Sequence, residues 1–438
     1  MFSITRSLDT IAQADVVICG GGPAGVGAAI GAARLGKSAL ILEQTGCLGG
    51  LGTSGMVPCF CPATDQEQVI ARGICQEIMD DLAGRMGVPV NYNWFPFNYE
   101  TLKRVYDDAV VASGARVLFF TTLADVLCEN GRIQGVVVAT REGLRAIRGT
   151  VFVDGTGDGN LCAWAGAPYE VGGEKGELMG PTLCSSFAGV DWDEYHRACS
   201  EGNDARTIWL RMMEAGTAPA ADWHFVGAFK SGRTLTSNNL GHVYGTHGLS
   251  EESLSAGMIE GRKQVEVYLD FYRAHVPGFA KAEMAWTGSL LGVRETRRIM
   301  GDYVLNYEDY KARATFPDEI TRCAYPVDIH SASTDPEAQK KVEQDLHATH
   351  YGRGESYGIP FRSLIPRDLQ NVLVAGRCLS ADRAVQSSLR VMPYCLTTGQ
   401  AAGVAAAMSL ASGGDVRAVN TDALRQALRE QNAYLPEA

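Results

Sequence analysis

Asp15 to Glu43, DVVICGGGPAGVGAAIGAARLGKSALILE, sets the topology of the N-terminal part of this chain. Val16, Val17 and Ile18 read as a short buried strand, which enters a Gly20-x-Gly22-x-x-Gly25 turn and then an Ala-rich helix. In such a turn Gly20 permits the tight bend. Gly22 lets the backbone, with Pro23 and Ala24, come against a pyrophosphate, and Gly25 allows helix and sheet to pack closely. The helix N-terminus offers unpaired N–H groups and a positive dipole end to phosphates. The helix ends near Gly36, Ser38 to Leu42 form the next strand, and Glu43, followed by Gln44, stands where a carboxylate accepts hydrogen bonds from ribose hydroxyls. Strand, turn, helix and acid together predict a βαβ dinucleotide-binding unit; a lone glycine pattern would not.

The 438 residues leave room for two or three domains. Hydrophobic residues make up 46% and charged residues 20%, as in an ordinary globular protein. Glycine, at 50 residues, exceeds the usual share of roughly 7%, which suits many close backbone approaches. A net charge of -11 gives no general attraction to nucleic acid or anionic membrane. The N-terminus lacks a signal pattern, and the apolar C-terminal stretch is broken by Thr397 to Gln400, so a cytoplasmic protein with no membrane span is expected. The twelve cysteines contain no CxxC pair; Cys59 and Cys61, the closest two, read as free thiols.

A second glycine-rich stretch, residues 46–55, follows Glu43. Residues 99–114 have helical periodicity, and strand-like runs cover 117–120, 124–128, 133–140 and 144–147, with a two-residue hairpin signal at Asn130-Gly131. The meander leads into Val151 to Asp154 and then Gly155-Thr156-Gly157-Asp158-Gly159. Near the C-terminus Asn371 to Arg377 reads as a last buried strand before a closing helix.

This order of βαβ unit, acid, GGLGT, meander and VFVDGTGDG resembles the glutathione-reductase-like FAD superfamily. Within it the chain is similar to the broad FAD-dependent oxidoreductase family related to the fumarate reductase flavoproteins, and the likeness spans nearly the whole sequence. The resemblance implies an α/β protein: a Rossmann-type FAD-binding domain with a β-meander, interrupted by an inserted α+β substrate or cap domain. The expected boundaries are 1–165 and 368–438 for the two parts of the FAD domain and 166–367 for the cap. Gly20, Gly22, Gly25 and Glu43 would hold the ADP half. Gly49, Gly50, Leu51, Gly52 and Thr53 would run beside the flavin, with Thr156, Gly157 and Asp158 supporting the cofactor. Gly376 would lie near the pyrophosphate or ribitol, and Thr398, Gly399 and Gln400 would bring a helix N-terminus to the flavin's pyrimidine edge, where reduction builds up negative charge.

Two departures stand out. Many relatives carry Asp after the terminal glycine, where this chain has Arg377, which puts the ribitol contact in question. The first histidine is His196, so a histidyl flavin link from the segment after the N-terminal unit is excluded, and noncovalent FAD is expected. GTGDG is not followed by an acid-ended strand at about 20 residues, so a second nucleotide unit is not expected. The electron acceptor is then oxygen, a quinone or a carrier protein.

Catalytic candidates lie in the middle region and the C-terminal segment. Gly292 to Arg298 resembles a recurring family segment; if helical, it sets Arg294 and Arg298 on one face as an oxyanion clamp, and otherwise it forms a structural arginine cluster around Glu295. His347 and His350 lie three apart, and His350 is the candidate base. Two histidines alone do not make a metal site, and none is expected. Arg383, where several relatives have His, and Arg390 are candidates for electrostatic roles. The implied activity is hydride transfer between a small organic substrate, at a C–H next to O or N, and flavin N5. Alternatives are reduction of an activated C=C bond and, in another class, a flavin-dependent RNA-modifying protein, against which the acidic balance argues. A homo-oligomer is compatible with the sequence.

Overall fold

A computed structural model describes residues 5–436, with the side chains of Glu343, Leu346, His347 and Ala348 outside the description. Strand β1 (Thr10–Cys19), helix α1 (Pro23–Ala33) and strand β2 (Ala39–Leu42) form the expected crossover, with β1 and β2 parallel from Val16↔Ala39 to Cys19↔Leu42. Val16 to Ile18 are fully buried, as a parallel strand covered on both faces requires. Helix α2 (Tyr99–Ala112), capped by Asn98, leads to β3 (Arg116–Leu118), which pairs with β2.

The meander is β4 (Thr122–Glu129), β5 (Arg132–Thr140) and β6 (Gly143–Asp154). Asn130 and Gly131 both have positive φ, 51° and 74°, as the two-residue hairpin turn demands. The runs at 144–147 and 151–154 are one strand here, not two. β1 lies alongside from Thr10↔Ala146 to Cys19↔Asp154 and keeps β6 extended through Gly149. β6 therefore changes partner along its length within one seven-stranded sheet: its first half is antiparallel to β5, and its last three residues are parallel to a C-terminal strand.

A second body rises from residues 183–293. Strands β7 (Ser185–Ala188), β8 (Phe225–Lys230), β9 (Thr236–Leu240) and β10 (Glu283–Thr287) form an antiparallel sheet in the order β8-β9-β7-β10, backed by the 25-residue helix α3 (Glu251–His275). Its core is its own: Phe187, Trp209, Phe225, Tyr268, Tyr272 and Phe279 pack together, with Trp209 stacked on Phe225 at 4.9 Å. Residues 305–365, by contrast, contribute Leu305, Ile320, Tyr357 and Leu364 to the core that contains α1.

The chain returns through β11 (Val372–Val374) beside β6 and closes with helix α4 (Met392–Ser409), buried over almost all of its length. α4 lies directly on α1. A Cβ on Gly27 or Gly403 would run into the opposite helix backbone, at Leu396 O and Ala28 O respectively, so small residues let the two backbones touch. Among the described residues no helix is long and apolar enough to cross a membrane.

Candidate functional site

The three glycines of the first turn meet three different surroundings. Gly20 has φ +97°, and a Cβ there would strike Gly155 O, so strand β6 presses on the turn. A Cβ on Gly25 would strike Gly20 O, so the helix sits as low on the turn as glycine allows. Around Gly22 there is nothing within 4 Å of a Cβ, and its backbone faces open space at the N-cap of α1. Among the described residues no side chain caps that helix, which leaves its N–H groups for an anion. The second glycine stretch lies against the first: Gly49 N donates to Gly21 O at 2.8 Å, and Gly50 faces Gly22. Glu43 ends β2 as expected, buried, its carboxylate accepting from Gly21 N at 2.8 Å and from Thr45 N at 2.7 Å. Thr53 donates its hydroxyl to Leu48 O and closes its own loop. Gly376, at φ +78°, sits against Ala24.

The model of the family described as FAD dependent oxidoreductase matches residues 15–428. The chain belongs to that family. FAD is the cofactor of this oxidoreductase, and the residues present fit it: an open backbone at Gly22, an uncapped helix end behind it and a second glycine loop alongside. Among curated proteins, the thiamine thiazole synthase of Aeropyrum pernix is 36% identical over 138 residues, 30% of this chain and 46% of that protein's length. Among solved structures, a geranylgeranyl bacteriochlorophyll reductase-like protein from Thermoplasma acidophilum shows 12% identity and a TM-score of 0.44, over 96% of this chain and 82% of the other. A myxobacterial chondrochloren halogenase shows 14% identity and a TM-score of 0.46, over 96% and 79%.

In this oxidoreductase the closing helix starts earlier than expected. The last helix begins at Met392, with Pro393 in its first turn, and not at Thr398. Thr398, Gly399 and Gln400 lie in its second and third turns and face the neighbouring elements. Thr398 Oγ1 donates to Tyr394 O, Gly399 lies on Ala24, and Gln400 accepts from Ile74 N. The positive helix end is thus formed at Val391 to Pro393. Arg377 replaces the expected acid and pairs with Asp158 at 2.7 Å, while Thr296 donates to the same carboxylate. Thr156 donates to Asp154, whose fully buried carboxyl is raised by loss of solvent.

Between the second glycine loop and the second body lies a cavity of about 820 Å³. One end touches Leu51 of the second glycine loop, Val57 just after it, and Val391 and Met392 at the start of α4. The other is polar and is built by three segments. Phe225 pairs with Leu240, so residues just before β8 and just after β9 share one end of the sheet, and this places His224 beside His242 with ring centroids 4.5 Å apart. His330 arrives on the loop after Glu319–Cys323, anchored where Asp328 N donates to Ser387 Oγ. His242 Nε2 lies 2.9 Å from His330 Nδ1. Outside this pair, His242 Nδ1 is 3.1 Å from Asp222 and His330 Nε2 is 3.2 Å from Asp328.

Burial, then the neighbouring His224 and Arg294, hold the His242 imidazole well below its usual value, and burial with Arg294 does the same to His330. Burial opposes ionisation of Asp328, but His330, Arg390 and Arg294 outweigh it and hold its carboxyl low, whereas burial raises Asp222. Arg294, held down to about 10 by burial and by Arg390, donates to Gly180 O and Thr182 Oγ1. Arg390 donates to Arg294 O and Asp328 O. Cys59 and Cys61 also line the cavity as free thiols; burial pushes Cys61 up to about 12 and Cys59 well above its usual value.

Of the catalytic candidates in the sequence, Arg294, His350 and Arg390 line this cavity. Arg298 and Arg383 are bound elsewhere. Residues 297–299 form a strand against Tyr169–Val171, so Arg294 and Arg298 do not share a helix face. Arg298 pairs with Glu170 at 3.2 Å, and Arg383 binds Glu295 at 2.8 Å and Glu177 at 3.1 Å, which matches the Glu295-centred alternative. The side chain of His347 lies outside the described residues. Sequence reading missed His224, His242 and His330, which are too far apart to form a local pattern. The available signal was a repeated Asp-x-His, at Asp222-Trp223-His224 and Asp328-Ile329-His330.

Proposed function

We propose that this oxidoreductase transfers a hydride between noncovalent FAD and a small organic substrate at a C–H bond next to oxygen or nitrogen. The observation that supports this most directly is the cavity that joins the flavin-side residues Leu51, Val57, Val391 and Met392 to a cluster of imidazoles and guanidiniums. Its volume is within the range of small-molecule sites, roughly 300–1,000 Å³. FAD, when bound, supplies the two-electron acceptor at N5. The protein's part is to hold the substrate. Arg294 and Arg390 offer fixed positive charge to an oxyanion group beside His242 and His330. His350, at the cavity wall, is the acceptor of the heteroatom proton. We assign Gly20, Gly22, Gly25 and Glu43 to the ADP half, and residues 166–367 to substrate recognition between the two parts of the FAD domain. The electrons then pass to oxygen, a quinone or a carrier protein.

The test is the visible spectrum of the purified protein before and after denaturation, followed by anaerobic addition of polyols, hydroxy acids and amines. Yellow colour released on denaturation, with bleaching by one of these classes, is the expected result. A flavin that no donor bleaches but an activated alkene reoxidises after chemical reduction would reverse the direction, and a colourless protein that refuses FAD would overturn the reading.

A further inference from the structure

We propose that His224, His242 and His330 hold a divalent first-row transition-metal ion at the polar end of the cavity, with its remaining coordination positions open to the substrate. One ring nitrogen from each residue lies within 4.8 Å of the others. The spacing is that of ligands: two nitrogens about 2.0–2.1 Å from a metal and at right angles to one another are about 3.0 Å apart, and His242 Nε2 and His330 Nδ1 are separated by 2.9 Å. The outer nitrogens of both rings sit on carboxylates, Asp222 at 3.1 Å and Asp328 at 3.2 Å. Metal-bound histidines have this arrangement, the outer N–H donated to an acid so that the inner lone pair points at the ion.

The outer nitrogen of His242 has two partners, Asp222 and the Tyr244 hydroxyl, each at 3.1 Å. With both outer nitrogens donating to carboxylates, the two inner nitrogens turn their lone pairs to one point, where a metal ion would sit; with Tyr244 donating to His242 instead, the 2.9 Å contact is an N–H···N hydrogen bond that the ion would replace. Asp222 and Asp328 face Arg294 and Arg390 at this end of the cavity, so the carboxylates stand among guanidiniums around the three imidazoles. Imidazole donors select zinc, copper, iron or nickel over magnesium or calcium. The metal site stands without the hydride-transfer reading. Its use does not: on that reading a substrate oxygen or nitrogen fills the open position, and the heteroatom loses its proton on the metal, because the imidazole lone pairs are already engaged.

The experiment uses the FAD-loaded full chain, stripped with a chelator and titrated with zinc(II) against a chromophoric competitor, with elemental analysis of the product. One zinc per chain is expected. His242→Ala and His330→Ala should weaken binding at least tenfold, and Asp328→Asn by roughly 10–100-fold through the outer hydrogen bond, with the flavin spectrum unchanged as the check on folding. If a histidine variant fails to fold, His224→Asn and Asp328→Asn carry the comparison. A wild-type protein that takes up no zinc, or variants that bind it as the wild type does, would overturn the site and leave a shared proton between the rings. A wild type that binds no zinc while a substrate still bleaches its flavin removes only the metal; zinc binding by the wild type without bleaching removes only the substrate reading.

Discussion

Gly22 and Gly25 stand three residues apart in one turn under opposite constraints. Gly25 lies where a methyl group meets the carbonyl of Gly20, a backbone atom that cannot swing aside. Gly25→Ala should therefore cost at least about 3 kcal/mol, the upper part of the usual overpacking range. Gly22 has an ordinary φ of -66° and open space before it. Gly22→Ala should leave stability within about 0.5 kcal/mol while weakening FAD, since the added methyl enters the path of the pyrophosphate. Urea denaturation of the apoproteins with a flavin-fluorescence titration separates the two; equal losses of stability would mean that Gly22 serves packing instead. Both roles were legible from spacing, because a strand, a turn and a helix leave each glycine one geometric task. The histidine cluster was not legible in this way, since the contact between His242 and His330 depends on a sheet edge and a distant loop meeting across 88 residues.

At the level of elements, Glu295 acts as a joint. Its carboxylate is fully buried and accepts from Met179 N, while Arg383, at the start of the helix Arg383–Leu389, and Arg298, in the strand beside Tyr169–Val171, both reach it. Removing one partner of a buried pair costs about 3–5 kcal/mol when the other charge is left alone, and less here because Arg298 still lies 3.8 Å from Glu295. Arg383→Ala should thus lower the urea midpoint strongly, whereas a substrate-binding arginine would raise KM and spare stability. Helix α4 shows why its start was misplaced from sequence. A helix buried on every side carries no polar stripe, so periodicity gives no boundary. The remaining signal was Pro393, which suits a first turn, and the Thr-Gly-Gln run that drew the boundary six residues late is explained by close packing on α1. The meander and hairpin were readable because alternation and Asn-Gly are local; the fusion of two runs into β6 was not, because it depends on the length of β1.

For the molecule as a whole, the separate core of residues 183–293 predicts two unfolding events. FAD at a hundredfold excess over its Kd stabilises the state that binds it by about 2.7 kcal/mol. For a unit of some 330 residues this raises Tm by about 4 °C. Scanning calorimetry should show one transition that moves by this amount with FAD and a second, from the body containing Trp209 and Tyr268, that stays in place. A single transition that shifts as one would mean that the contacts between the bodies make them one cooperative unit.

The interleaving of α1 with α4 also fixes an order of events during synthesis. The glycine-dotted face of α1 finds its covering helix only after about 360 further residues have been made, which at ribosomal rates of 5–20 residues per second is roughly 20–70 s. Through that interval the nucleotide cradle is present in the nascent chain without the helix that clamps it, so the cofactor is captured by a finished polypeptide and the waiting apolar face is what a chaperone would meet first.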